Sequence, residues 1–526
     1  MKDTVFKHLF DFKQAPLKSI GYLLIILALV IGFTIRFFCL IRYTTFDIGY
    51  DPDQIRDAFV YMKMWEGKIP LVGPGSSVGT YSLPPLYYYL IFPFTIFGAN
   101  PVFQVLPHTL LSFLTIPLLM CLVYQLLEKV PLERRILLSG LAGILSSCIY
   151  GEIFINTFQW NPSPLPFFFL SFTLLYKYQV EARKLGKREF VIAICYGIAT
   201  SILVSLHSTT LFIIPIVFFC STMFLLYKRR KQKKYWLLPV LSVVASIVAL
   251  LPYWKLELSQ NFSNTKAIIR TVIGAGENAN SVTILGRIGK IITSYFELGQ
   301  QAYFVGLSKF YLIIAAIFLA LTLLLAVWKF KGNKTIICFL SLTWLLFFYA
   351  ASNFQGIFRL HYKLLIIFMP IILVTIALGY LDYDKRINKI FGIIISLGIV
   401  FSLGTNFYND GKYLASKYGY TRIMSTTDLT AFLEEIPLQA TICDPQYGRK
   451  RKIRNSVNYL DTYITKRQFS TTSTCQPSNY QIIPKYKMDI IDNSLWPIFN
   501  LSKNRQSRGE TEEFLDTPVA EILIIE

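Results

Sequence analysis

Along the first 409 residues, apolar positions gather into runs long enough to cross a bilayer, which takes roughly 17 to 25 residues, and short polar segments separate them. Eleven membrane helices are predicted, over residues 19–40, 105–127, 136–151, 165–176, 190–206, 209–227, 235–253, 305–327, 335–351, 364–380 and 390–408. One apolar stretch is set apart. Residues 84–97 span about fourteen positions with Pro93 inside, too short and too broken to cross, so they are read as lying on the membrane surface. Beyond residue 410 the pattern changes. Residues 427–436 carry helical apolar spacing after a Thr/Asp start and 519–525 read as a strand, so 410–526 is expected to form a small α/β domain.

Composition agrees with a polytopic α-helical membrane protein. Apolar residues make up 54% of the 526 and charged residues only 16%, against about 25% charged in a soluble domain. Net charge is +21, and since 410–526 holds 15 basic and 14 acidic residues, nearly all the excess lies in the first 409. That distribution excludes a basic nucleic-acid-binding tail.

The basic residues also set an orientation. Lys2, Lys7, Lys13 and Lys18 precede the first span, which is too long for a cleaved signal and reads as a signal anchor with a cytoplasmic N-terminus. With 84–97 on the surface, the clusters at Lys129, Arg134 and Arg135, at 177–188, at 228–234, at 329–334 and at 385–389 all face the cytoplasm. A plasma-membrane protein with its C-terminal domain outside follows. Six cysteines lie in or at the edge of the spans as small core residues. Cys443 and Cys475 share the exported domain, where a disulfide is chemically permitted.

The acids stand out in the first outside loop, residues 42–104. Tyr50-Asp51-Pro52-Asp53-Gln54-Ile55-Arg56-Asp57 places three carboxylates within seven residues, directly after a span. Asp51 before Pro52 fits a helix N-cap. Asp53 and Asp57 then fall at i and i+4 on one face and repel unless a cation separates them, a role open to Arg56. Residues 73–80 form a glycine- and hydroxyl-rich loop whose amides could line a phosphate, without the ending of a nucleotide P-loop. Tyr87, Tyr88 and Tyr89 after Pro84-Pro85 suit a helix at headgroup level. Further polar points on the same side are Glu152 and Asn156, His207, Glu257 with Asn261 and Asn264, and the cluster Arg359, His361, Tyr362 and Lys363.

Taken in order, these residues resemble the membrane-embedded glycosyltransferases of the GT-C fold, specifically family 39, which includes protein O-mannosyltransferases and aminoarabinose transferases. The likeness covers most of residues 18–410. It rests on the acidic position Asp53-Gln54 after the first span, Trp65-Glu66-Gly67-Lys68-Ile69-Pro70, Pro84-Pro85-Leu86, Phe97-Gly98 and Trp160-Asn161-Pro162-Ser163. Two departures are plain: the family commonly has glutamate where Gln54 stands, and often a basic or His residue where Ser82-Leu83 precede the prolines.

The resemblance implies that residues 1–409 transfer a sugar, with inversion, from a polyprenyl-phosphate donor to an acceptor hydroxyl on a lipid, glycan or protein at the outer face of the membrane. It implies Asp53 as the base, with Asp51 the alternative, and a metal-free mechanism without a nucleotide sugar, although closely spaced carboxylates could hold a divalent cation. Arg56, Asp57, Glu152, Asn156, His207, Glu257, Arg359, His361 and Tyr362 are the candidate substrate contacts. A lipid-linked polysaccharide polymerase or ligase shares the donor class. A lipid-linked glycan transporter fits less well, because the spans read as nearly free of ionisable residues.

Overall fold

The computed structural model describes residues 15–43, 52–76, 79–156, 159–279, 283–304, 309–332, 334–353, 359–415, 426–443, 457–472, 476, 478, 480–484, 511–516 and 520–525. The chain is a polytopic bundle of helices followed by a small sheet. A helix stands at each of the eleven apolar segments. Among the described residues, seven helices are long and apolar enough to cross a membrane, and Lys233–Ala249 with Leu251–Ser259, bent by 61°, make an eighth if the pair is one broken span. Pro252 in the first turn after the break lacks the N–H that would continue the helix. The helices over Leu132–Ser147 and Leu165–Glu181 have 16 and 17 residues, about 24 to 26 Å at the helical rise, short of a hydrocarbon core of roughly 30 Å.

The helices that matter for the site are α1 (Pro16–Tyr43), α2 (Pro52–Trp65), α3 (Leu86–Ile91), α4 (Pro101–Leu126), α5 (Leu132–Ser147), α6 (Tyr150–Asn156), α7 (Leu165–Glu181), α8 (Lys187–Leu206) and α9 (Ser208–Lys228). They continue with α10 (Leu237–Ala249), α11 (Leu251–Ser259), α12 (Ser263–Ala279), α13 (Ile284–Leu298), α14 (Lys309–Lys329), α15 (Lys334–Asn353), α16 (Leu360–Lys363), α17 (Met369–Tyr380), α18 (Arg386–Ala415) and α19 (Thr426–Glu435).

Close helix approach is written into small residues. A Cβ on Gly140 of α5 would lie 2.6 Å from the Gly21 carbonyl oxygen of α1, so glycine on both sides lets the two backbones touch. The segment Leu360–Tyr380 is buried along its whole apolar window, which is why it is hydrophobic on every face.

The stretch read as lying on the surface is six residues of α3 followed by six of 3₁₀ helix, Phe92–Phe97. At about 21 Å in total it does not reach across a bilayer. Its tyrosines do not point to headgroups as a surface helix would have them. Tyr87 and Tyr88 are buried against α2 and α4, and Tyr89 donates to the Pro70 carbonyl at 2.6 Å.

In the C-terminal segment a five-stranded mixed sheet has the order β2-β1-β3-β5-β4, from β1 (Thr441–Cys443), β2 (Ser470–Thr472), β3 (Tyr480–Pro484), β4 (Thr511–Asp516) and β5 (Ala520–Ile525). Strand β1 runs parallel to β2 and β3, while β5 is antiparallel to β3 and β4. The expected helix and final strand are α19 and β5. Cys443 is disulfide-bonded; Cys475, its expected partner, lies outside the described residues. The segment is tied to the first loop by Tyr459, whose hydroxyl donates to the Ala99 carbonyl at 2.6 Å and accepts from Gln104 Nε2 at 2.9 Å. Its ring meets Phe59 of α2 edge-on at 5.3 Å between centroids.

Candidate active site

The acidic helix α2 opens with Pro52, and Asp53 sits in its first turn, where the helix dipole favours a carboxylate. Asp51, expected as the cap, lies outside the described residues. Asp53 and Asp57 share a face at i and i+4, and Arg56 is the cation that holds them together. Arg56 Nη1 lies 2.7 Å from Asp53 Oδ1, while its Nε and Nη2 both lie 2.8 Å from Asp57 Oδ1. Asp53 stays about 41% exposed, whereas the Asp57 side chain is wholly buried.

Tyr88 completes this group, donating to Asp57 Oδ1 at 2.9 Å, while Asp57 Oδ2 is buried with no hydrogen-bond partner. Burial pushes the Asp57 carboxyl up to about 7, against the pull of Arg56 toward the charged form. For Arg56 burial opposes the charge, yet Asp57, Tyr88 and Asp53 outweigh it and hold the guanidinium firmly protonated. The two carboxylates therefore differ: one exposed and one sealed beneath it by tyrosines. Tyr88 was not singled out beyond its place in the aromatic row, since only folding brings α3 against α2.

Two amides of the glycine-rich loop are spent within its own segment. Gly73 N donates to the Leu83 carbonyl at 2.7 Å and Ser76 N to the Tyr81 carbonyl at 2.8 Å, so 73–76 pairs with 81–83 in a small hairpin with a bridge between Gly75 and Ser82. The expectation that those amides line a phosphate does not hold at these positions. What the hairpin does is connect: Ser76 Oγ lies 3.0 Å from Ser208 Oγ at the start of α9, and Ser82 exchanges backbone hydrogen bonds with the Asn264 side chain at 2.8 and 2.9 Å.

Beside Ser208, three of the expected residues converge. The His207 ring centroid is 5.6 Å from that of His361 and 5.0 Å from that of Tyr362, and His361 packs against Trp160 at 4.4 Å. Asn161 anchors this second loop by donating a hydrogen bond from Nδ2 to the Leu206 carbonyl. His207 caps α9, accepting from Thr209 N through Nδ1 at 3.2 Å, and burial lowers its pKa to about 4. It is a neutral imidazole at physiological pH. Arg359, half-buried just before α16, keeps its charge as arginine does in proteins. Lys363 is no snorkelling anchor: it is buried and donates to Glu297 at 2.7 Å and Gln301 at 3.0 Å.

Glu152 and Glu257 stand apart from both groups. Glu152 on α6 accepts from Arg36 Nη2 at 2.5 Å and from Ser112 Oγ at 2.6 Å, with both charged side chains fully buried. Arg36 in the first span is the functional-grade residue that sequence reading passed over. An arginine at membrane depth is costly without a partner and was itself the signal, so the spans are less free of ionisable groups than expected. Glu257 on α11 accepts from Thr265 N at 3.0 Å and leaves Oε1 buried and unpartnered. Asn156 ends α6, with its side chain outside the described residues, and Asn261 adopts φ 51° in the turn before α12.

Trp160, His207, Ser208, His361 and Tyr362 gather where α8 ends and α7 and α9 begin. Among the described residues no three His, Cys, Asp or Glu side chains gather as a metal centre; Asp53 and Asp57 share a guanidinium instead.

The overall architecture is that of the GT-C membrane proteins. The chain superposes on ArnT from Cupriavidus metallidurans bound to undecaprenyl phosphate with a TM-score of 0.51 at 10% identity, covering 95% of this chain and 97% of that one. The apo oligosaccharyltransferase of Archaeoglobus fulgidus gives a TM-score of 0.47 at 13% identity, over 76% of this chain and 56% of that one. No family model matches the sequence. No curated protein matches it either.

Proposed function

We propose that the protein is a glycosyltransferase that moves a sugar from a polyprenyl-phosphate donor to an acceptor hydroxyl at the outer face of the plasma membrane, with inversion and without a nucleotide sugar. The observation that carries this reading is the Asp53–Arg56–Asp57 group on the first loop, within a fold shared with a protein crystallised with undecaprenyl phosphate. A polyprenyl chain cannot leave the bilayer, so transfer takes place where this loop meets the membrane surface.

Asp53 is the base. It is the exposed carboxylate of the pair, and it takes the proton from the acceptor hydroxyl as that oxygen attacks the anomeric carbon. The bond from that carbon to the phosphate oxygen breaks on the opposite face, which inverts the configuration. A positioned base contributes typically 10² to 10⁴-fold. The leaving group is a phosphate, already a stable anion, so it needs cationic contacts more than a general acid. Arg359 is assigned to it. His207, neutral at physiological pH, serves as a hydrogen-bonding and packing partner of His361 and Tyr362 against the Trp160 loop. Catalysis needs no divalent cation in this scheme, because Arg56 supplies the charge between the two carboxylates.

The direct test is transfer from a radiolabelled polyprenyl-phosphate sugar by the purified protein in liposomes, with a nucleotide sugar and EDTA in parallel arms. Transfer from the lipid donor alone, unchanged by EDTA, is the expected result. Transfer from the nucleotide sugar, or collapse with EDTA, would reject this scheme.

A further inference from the structure

At the end of the bundle away from the acidic helix, a cavity of about 540 Å³ opens between the helix ends. It is separated from the candidate active site by the length of α9, 21 residues from Ser208 to Lys228, or about 31 Å. Lys129, Arg183, Lys228 and Lys331 line it, together with Glu128 and Glu181. The four cations come from four different junctions: after α4, after α7, at the end of α9, and between α14 and α15. Only the tertiary fold brings them to one space.

The acids do not cancel them. Glu181 pairs with Lys177, a buried lysine one turn back on α7, and also acts on Lys228, so with Lys177 counted five cations face two acids. The walls are also fixed in place. Arg229 donates to the Val180 and Ala182 carbonyls, and Lys228 Nζ lies 3.4 Å from the Val180 carbonyl, so the end of α9 is tied to the end of α7. A group of like charges held in place around one opening is stabilised by an anion.

A second, independent feature gives the depth. Trp328, Tyr227 and Trp236 stand exposed at this same end, and Lys329 and Arg230 lie over the first two rings at 3.9 and 4.3 Å. Exposed tryptophan and tyrosine beside lysine and arginine mark the level of lipid headgroups. Trp328 is three residues from Lys331 and Tyr227 is next to Lys228, so the cavity opens at that level.

We propose that this cavity binds the phosphate headgroup of an anionic membrane lipid, at a site distinct from the one assigned to the sugar donor. The test uses the full-length protein in phosphatidylcholine nanodiscs doped with phosphatidylglycerol, with retained lipid counted by native mass spectrometry and affinity taken from a phosphatidylglycerol titration. Two double variants are compared. Lys129→Gln/Lys331→Gln removes lining charges, and Lys385→Gln/Lys389→Gln removes the same charge from exposed positions at the same end, outside the cavity. Tyr380 at the end of α17 bonds the Leu126 carbonyl at 3.0 Å, which places the control pair near Lys129 without lining the cavity.

The first pair should weaken phosphatidylglycerol binding about fivefold per lysine, roughly 25-fold together, and lose one retained lipid. The control pair should keep it. Arg183→Gln gives an independent removal of a single lining charge, with about a fivefold loss. Equal losses in both double variants would mean diffuse surface attraction and overturn the proposal, as would no loss in either. Soluble glycerol 3-phosphate and inorganic phosphate form the last arm. Displacement of the lipid by either at low millimolar concentration would make the ligand a free phosphate compound and reject the lipid assignment.

Discussion

Arg36 and Glu152 offer the sharpest energetic test. The Arg36 guanidinium is wholly buried and makes contacts to Ser112 Oγ at 2.6 Å, to the Ser146 and Ser147 carbonyls at 3.2 Å, and to Glu152 at 2.5 Å. Arg36→Met removes the cation and leaves the Glu152 carboxylate buried with Ser112 as its remaining named donor. Stripping one partner from a buried pair costs about 3 to 5 kcal/mol. With an unfolding entropy of roughly 2.1 cal/mol/K per residue over 526 residues, that is a fall in Tm of about 3 to 5 °C. Glu152→Gln should cost less, because the amide oxygen still accepts from Arg36 while the NH2 takes the position facing Ser112 Oγ. The double variant Arg36→Met/Glu152→Gln removes both charges and should recover at least half the loss of Arg36→Met, a coupling of about 2 kcal/mol. The assay is thermal unfolding of all four proteins in one detergent, followed by tryptophan fluorescence. Losses that simply add, or an Arg36→Met protein within a degree of the wild type, would refute the reasoning.

Asp57 makes a prediction about pH. Its folded pKa, about 7, lies above its ordinary value near 3.8, so the fold favours the protonated acid; that contribution is complete below about pH 4 and lost as pH rises through 7. Asp57→Asn should flatten the fall in Tm between pH 4 and 8, a difference of at most about 4 kcal/mol, and parallel pH curves for the two proteins would count against the sealed carboxyl. Arg56→Met leaves Asp53 and Asp57 facing one another without a cation and should lower kcat about 10² to 10³-fold, with Arg56→Lys intermediate; a change confined to KM would contradict its role beside the base. Tyr459→Phe removes the hydroxyl that bridges Gln104 and Ala99 and should cost about 1 to 3 kcal/mol, read as faster release of the C-terminal segment by limited proteolysis. Tyr459→Ala also loses the ring contact with Phe59 and should be cleaved faster still, whereas equal rates for all three would dismiss the clamp.

Much of this was legible in the chain, because bilayers impose length and apolarity on every spanning helix. The acidic face of α2 followed from helical spacing alone, and so did Arg56 as the cation between Asp53 and Asp57. Residues 84–97 were read as too short to cross, and length was enough to decide it. What spacing could not give was burial. Tyr88 and Asp57 are 31 residues apart, and nothing local says that the tyrosine turns inward to a carboxylate rather than outward to headgroups. The glycine-rich loop misled in part for a similar reason: composition shows that amides are present, not that the hairpin takes up those of Gly73 and Ser76. Arg36 was a missed signal rather than an absent one, since a lone arginine in an apolar run asks for a partner and Glu152 supplies it 116 residues later. The convergence of His207, His361 and Tyr362 needed α16 to arrive beside the turn between α8 and α9, which only the tertiary fold provides.

The central claim is that Asp53 is the base of a sugar transfer from a polyprenyl-phosphate donor. Its most direct test is the single-turnover rate of that transfer with Asp53→Asn, an isosteric change that keeps a hydrogen-bonding group beside Arg56, measured at matched protein and donor occupancy. The rate should fall by about 10² to 10⁴-fold with donor binding retained. A variant that transfers at the wild-type rate would contradict the account.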